Sequence, residues 1–191
     1  DKLVTGVQTC ALPIYRGAET SFDISADLDE LARSPVIVVS AGAKAILDLP
    51  KTLEALETRG VPVVGFGTDE FPDFWSRSSG LRAPLRLDAP EEVARLALAR
   101  EVLGLGGGML VANPLPEGEE IPASDLAGPI EAALAEAAGA RVAAKDVTPF
   151  LLARVVAATG GRSLAVNRAI IRGNAALAAR LAVALSAARH A

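Results

Sequence analysis

Lys44 is the residue on which covalent chemistry could most readily rest. It follows an apolar run, Pro35-Val-Ile-Val-Val39, and a turn of small residues, Ser40-Ala-Gly-Ala43, at the point where a helical period begins. The field at a helix N-terminus opposes a positive charge. A neutral amine is the form that attacks carbonyl carbon and makes imines. Ala41, Gly42 and Ala43 leave space for a ligand against the backbone. A solvated surface lysine fits the same position, and position alone leaves both readings open.

Asp23, Ser25 and Asp27 form a second cluster. The pattern reads as a helix start with an acidic first turn. It reads equally as a hard-metal or sugar-hydroxyl site, because carboxylate and hydroxyl oxygens suit Mg²⁺ or Mn²⁺. Gly106-Gly-Gly108 could cradle a phosphate, but it lacks the P-loop spacing and precedes a strand rather than a helix. It is expected to be a turn with room to line a site. Asn167, near the start of the last helix, fits either a buried amide or a ligand contact, and Arg154 and Arg168 fit surface charges.

The residue counts exclude other chemistries. The single His is His190, the penultimate residue, a poor place for the positioned imidazole of a Ser-His-Asp triad. Zinc sites built from several His and Cys are impossible. One Cys makes no internal disulfide, so a reducing, cytoplasmic setting is expected. A net charge of −4 argues against binding a nucleic-acid backbone. With 51% hydrophobic residues in 191, the chain can bury a sizeable core. No segment reads as long and uncharged enough to span a membrane.

Strands and helices must alternate to position these groups. Pro35–Val39, Val61–Phe66 and Met109–Ala112 read as buried strands, and Arg82–Leu87 as a short one. Lys44–Thr58 reads as a helix that Pro50 kinks or splits. Asp88-Ala-Pro-Glu91 reads as a capping box opening a helix to about Leu103. Further helices are expected at about 124–138, 148–158 and 163–189, the second opened by Thr148-Pro149. The alternation implies an α/β layered fold with a largely parallel sheet. Ligands in such folds bind at the carboxyl ends of strands, here Ser40–Lys44, Gly65–Thr68 and Asn113–Leu115.

Residues 1–15 stand apart. They lack the basic and apolar regions of a signal peptide, and VTGVQTCALPI resembles a translated sequencing adapter. They are expected to be a non-native leader, which leaves 16–191 free of cysteine, and they are left out of the fold reading.

Four segments together carry a family resemblance: RGAETSFDISADLDELA (16–32), VVSAGAKAILDLPKTLEALETRGVPVVGF (38–66), GGMLVANPLP (107–116) and KDVTPFLLARVVAATGGRSLAVN (145–167). In this order they resemble the pseudouridine-5′-phosphate glycosidases, with which the indigoidine-synthase-A-like proteins group. The resemblance spans essentially all of 16–191. It implies a three-layer α/β/α fold with a mixed, largely parallel central sheet, incomplete at its N-terminus. It also implies reversible cleavage of the C–C glycosidic bond of pseudouridine 5′-phosphate to uracil and ribose 5-phosphate, through a lysine imine.

The lysine of SAGAK maps to Lys44 as nucleophile, and the aspartate of DISAD maps to Asp23 as a Mn²⁺ ligand. Ser25, Ala26 and Asp27 match the substrate-binding run, and Asn167 matches an asparagine near the substrate. A homotrimer acting on a small molecule, without nucleic acid or membrane, is the implied assembly. Two departures follow from the resemblance. The family's segment before RGAE, with a glutamate proton donor and a substrate-binding lysine, has no counterpart in these residues. Tyr15 also stands where the family has a histidine. The chain is therefore expected to be truncated and inactive by itself. Two other readings remain open: a different Schiff-base lyase acting on a sugar phosphate, or a non-catalytic fragment or binding module.

Overall fold

A computed structural model describes residues 4–7, 14–16, 18, 22–140, 142 and 144–190. Five strands form one sheet: β1 (Val4–Val7), β2 (Val36–Ser40), β3 (Val63–Phe66), β4 (Leu85–Leu87) and β5 (Met109–Ala112). Their order across the sheet is β1-β2-β5-β3-β4. Every pairing between these strands is parallel, in keeping with the largely parallel sheet expected. The helices explain this, because each crossover between neighbouring parallel strands needs a covering connection. Among the described residues six helices supply the cover: α1 (Asp27–Arg33), α2 (Leu49–Thr58), α3 (Pro90–Val102), α4 (Ala123–Gly139), α5 (Ala144–Ala158) and α6 (Arg162–Arg189).

The period of two along each strand divides the core into two faces. Val38 and Leu110 point into one cluster with Leu28 and Leu31 of α1, Leu56 of α2, and Leu126 and Ile130 of α4. Ile37, Val39, Met109 and Val111 point into the other, with Val93 and Ala97 of α3 and Leu177, Leu181 and Leu185 of α6. The result is the expected three-layer α/β/α arrangement. Residues 4–7, left out of the fold on sequence grounds, form the edge strand β1. Val4 to Val7 pair with Val36 to Val39, so β1 covers what would otherwise be the open edge of β2.

Several local expectations shift. Asp48 caps α2 by accepting the Lys51 N–H at 3.1 Å, and Pro50 sits in its first turn. The helix therefore begins at Leu49, and Lys44 lies in the turn before it. The residue preceding a proline avoids helical geometry unless the proline is itself in the first turn, which fixes the start here. Ala89, not Asp88, is the N-cap of α3. Glu92 accepts the N–H of Asp88 at 2.9 Å and of Ala89 at 3.0 Å, so only the carboxylate half of the box forms. Pro149 lies inside α5 rather than at its start, where it removes one intrahelical bond.

Gly106–Gly108 turns at the amino edge of the sheet, away from the strand ends expected to hold ligand. A Cβ on Gly107 would lie 2.3 Å from the Ala32 carbonyl oxygen, which is why glycine is needed there. By length and composition α6 could cross a membrane, contrary to the sequence expectation. Its apolar stripe, from Val166 and Ile170 to Leu181 and Leu185, is instead buried within this domain.

Candidate functional site

The three predicted strand ends converge because β5 lies between β2 and β3. The Asn113 N–H donates to the Ser40 carbonyl at 2.7 Å, which ties the end of β5 to the end of β2. Beyond Ser40 the chain turns. The Ser40 hydroxyl, fully buried, accepts the Gly42 N–H at 3.3 Å. Gly42 has φ +82°, and a Cβ there would stand 1.9 Å from the Pro72 carbonyl oxygen. The turn can therefore approach the 71–81 loop this closely only with glycine. The Lys44 carbonyl then accepts the Leu47 N–H at 2.8 Å.

The helix-dipole argument for Lys44 fails, since no helix starts there. What faces it is aromatic. Lys44 Nζ lies 5.3 Å from the centroid of the Phe74 ring, whose face attracts an ammonium. Phe74 itself has φ +55° and is 2% exposed. A bulky residue in the left-handed region stores about 1–3 kcal/mol of strain and marks a place its surroundings over-determine. Its N–H donates to the Ala41 carbonyl at 3.0 Å, so the strained residue is bonded to the Lys44 turn.

Phe74 meets Trp75 edge-on, with centroids 5.2 Å apart and planes at 71°. The Trp75 indole N–H donates to Asn167 Oδ1 at 3.0 Å. Two of the predicted residues, Lys44 and Asn167, thus meet on one aromatic pair. Sequence reasoning missed this pair. The available signal was the crowding of Phe66, Phe71, Phe74 and Trp75 into a loop-rich stretch of an aromatic-poor chain. The loop is anchored at its far side, where the Arg77 N–H donates to Glu120 at 2.7 Å and the Arg77 guanidinium bonds the Leu115 carbonyl.

Asp73 and Arg16 were missed as well. Arg16 donates to the Ala45 carbonyl at 2.6 Å and to the Leu47 carbonyl at 3.3 Å. Asp73 lies across a cavity of about 340 Å³, lined also by Ala45, Ser79, Leu126 and Glu131. Burial pushes the Asp73 carboxyl up to about 7, against the opposing charge of Arg16 and the Ala45 N–H.

The Asp23–Asp27 run is placed alongside rather than within this cluster. Ile14 bridges Ile24, and Tyr15 bridges Leu47, so the 14–15 segment separates the run from the Lys44 turn. The Tyr15 N–H donates to the Asp23 carbonyl at 3.2 Å. The Ser25 hydroxyl accepts the Asp27 N–H at 3.2 Å, and Ala26 is the N-cap of α1, so Ser25 and Asp27 shape the helix entry. Among the described residues no three Asp, Glu, His or Cys side chains gather as a metal cage. A hard divalent ion that keeps most of its waters needs only one or two carboxylates. The half-buried Asp23 fits that water-rich mode, not a closed site.

A second cavity, of about 170 Å³, opens at the ends of β3 and β5 between Phe66, Asn113, Asn174 and Arg180. There the Asn113 amide donates to Asn174 Oδ1 at 3.0 Å. Arg154 pairs with Glu136 across α4 and α5, which bears out its reading as a surface charge.

Residues 12–184 match the family described as indigoidine synthase A like protein. The chain belongs to the indigoidine synthase A-like family. This indigoidine synthase A-like chain is 65% identical to a pseudouridine-5′-phosphate glycosidase of Methylobacterium nodulans, over 92% of the chain and 52% of that protein. It is 63% identical to one of Mesorhizobium japonicum, over 90% of the chain and 56% of that protein. It therefore spans about half the length of these curated relatives.

Solved structures that share its fold include two of note. One is the prealnumycin C-glycosynthase AlnA in complex with ribulose 5-phosphate, with TM-score 0.91, 31% identity, and 96% of this chain against 61% of that one. The other is an indigoidine synthase A-like protein from Thermotoga maritima, with TM-score 0.81, 38% identity, and coverages of 94% and 58%.

Proposed function

We propose that this chain carries the lysine centre of a pseudouridine-5′-phosphate glycosidase, cleaving the C–C glycosidic bond reversibly to uracil and ribose 5-phosphate. The observation that carries the reading is the meeting of Lys44 and Asn167 on the Phe74–Trp75 pair at the carboxyl edge of the sheet. The identity to the curated glycosidases supports it.

In the direction of condensation the atoms balance simply. The Lys44 amine adds to the C1 aldehyde of open-chain ribose 5-phosphate and loses water, giving an imine. Carbon 5 of uracil attacks the imine carbon, its electrons passing to nitrogen, and then sheds its proton. Closure of the sugar hydroxyl onto C1 expels the amine. The reverse sequence cleaves the nucleotide with one water consumed. A C-glycoside has no leaving oxygen to protonate, so covalent activation through nitrogen replaces ordinary acid catalysis.

The roles of this chain's residues follow. Phe74 directs the amine, Asn167 offers amide contacts to sugar or phosphate oxygens, and Ser25, Ala26 and Asp27 bind substrate from the neighbouring segment. Mn²⁺, held by Asp23 through a mostly aqueous shell, would supply positive charge to sugar or phosphate oxygens. The working assembly is proposed to be a cytoplasmic homotrimer.

A second reading is a Schiff-base enzyme joining a sugar phosphate to a different carbon acceptor. The likeness to a C-glycosynthase structure containing ribulose 5-phosphate favours it. Borohydride trapping of ribose 5-phosphate tests the shared step. A peptide adduct at Lys44, lost in Lys44→Ala, is expected, and its absence rejects both readings. Formation of uracil from pseudouridine 5′-phosphate then selects the first reading, and joining of the bound sugar phosphate to a carbon nucleophile other than uracil selects the second.

A further inference from the structure

The Lys44 turn is gripped from two sides. On one side stands Arg16, bonded to the carbonyls of Ala45 and Leu47. On the other stands Asp73. Its backbone bridges Gly42, the next residue's N–H donates to Ala41, and the Ala45 N–H approaches its carboxyl group. Ala45 is thus held at its carbonyl by Arg16, with its N–H turned towards the Asp73 carboxyl group. The residue after Asp73 is also the one whose ring faces the Lys44 ammonium.

The Asp73 side chain is out of place for a purely structural role. It is 8% exposed, yet its Oδ1 has no hydrogen-bond partner among the described residues. Buried carboxylates are normally satisfied, and an unfilled acceptor beside a cavity calls for a functional reason.

We propose that Asp73 is a positioning residue, whose carboxylate works with Arg16 to lock the Gly42–Leu47 turn and so fixes where the Lys44 amine stands. This rests on the reading of Lys44 as the imine-forming residue. The charged groups that share the cavity with Asp73 are Arg16 on the 14–16 segment and Glu131 on α4, while Lys44 stands over the ring of Phe74, the next residue. Arg77 lies on its own loop, and Asp48 lies beside Arg16. Burial holds the Asp73 carboxyl near neutrality. The lock therefore weakens as the carboxyl gains a proton, and tightens above neutral pH.

The test uses the full chain, labelled with ¹⁵N, and the Asp73→Asn variant, which keeps the shape and one acceptor. Two readouts are followed from pH 5 to 9: the Ala45 amide resonance, and borohydride trapping of ribose 5-phosphate at Lys44. In the wild type the Ala45 resonance is expected to titrate with a midpoint near 7. In Asp73→Asn it should stay flat. Trapping should fall roughly tenfold, within the hundredfold that about 1 Å of misplacement can cost, and lose its inflection near neutrality. A flat Ala45 resonance in the wild type overturns the proposal. So does wild-type trapping, with the wild-type pH profile, in Asp73→Asn. If the wild type forms no adduct at all, the Lys44 reading is what fails, and the Ala45 titration alone then decides whether Asp73 controls the turn.

Discussion

The indole N–H of Trp75 donates to Asn167 Oδ1 at 3.0 Å, across 92 positions of sequence. Trp75 is 1% exposed, so this single bond satisfies a donor that water does not reach. It joins the loop after β3 to the first turns of α6, and it brings Asn167 onto the same aromatic pair as Lys44.

Asn167→Ala should strand that donor. The expected loss is about 1–3 kcal/mol of stability in urea unfolding at pH 7. Combined with Trp75→Phe the effects should fall short of additive, since both remove one bond. Strict additivity would mean that the bond carries no coupling.

Gly42→Ala should damage both fold and site. The new methyl would meet the Pro72 carbonyl, and the residue would be held at φ +82°. Gly104→Ala is the control. It shares a positive φ, +68°, but has nothing within 4 Å of the added methyl. The control should lose about 1–2 kcal/mol from backbone strain alone. The Gly42 variant should lose more, and should also lose trapping at Lys44. Equal melting temperatures for the two would contradict a close approach at Gly42.

Stability should depend on pH through Asp73. Its carboxyl titrates at about 7 in the folded chain against 3.8 for an unperturbed aspartate. The folded state therefore binds the proton more tightly than the unfolded state. Stability from this group is fully present below about pH 4 and declines as pH rises to 7. It then stays lower, by on the order of 4 kcal/mol. Asp73→Asn should raise the melting temperature at pH 8 and leave it nearly unchanged at pH 4. The reverse order would show that the carboxylate is well compensated when charged.

Mn²⁺ should stabilise the wild-type chain by mass action, and the shift should vanish on chelation and in Asp23→Ala. Thermal melts with and without the ion measure this. A shift that survives Asp23→Ala places the ion elsewhere, and no shift in the wild type removes the assignment.

Much of the fold could be read from local pattern. The apolar runs at 36–39, 63–66 and 109–112 are uncharged, mostly aliphatic and short, which suits buried strands. Pro50 and Asp48 mark the start of α2, and Gly60 follows its end. Lys44 was identified as the reactive candidate through its small-residue turn, but for a partly wrong reason. The dipole argument needed a helix to begin there, and Pro50 delays that helix to Leu49. Asp73 gave no signal in sequence, because an aspartate in a Pro-containing loop usually faces water. Only its position under the Gly42 turn buries it.

The sequence by itself determined the kind of chemistry available and the order of strands and helices along the chain. Residue type and local period are local properties, and they suffice for the chemistry and for the order from β2 onward, whereas β1 was left out. The tertiary structure decided which residues meet. Insertion of β5 between β2 and β3 brings three distant strand ends together. The close packing of Gly42 on Pro72 places Phe74 under Lys44 and Asp73 beside Ala45. Contacts between segments so far apart in the chain depend on sheet order and side-chain packing, and no local pattern encodes either.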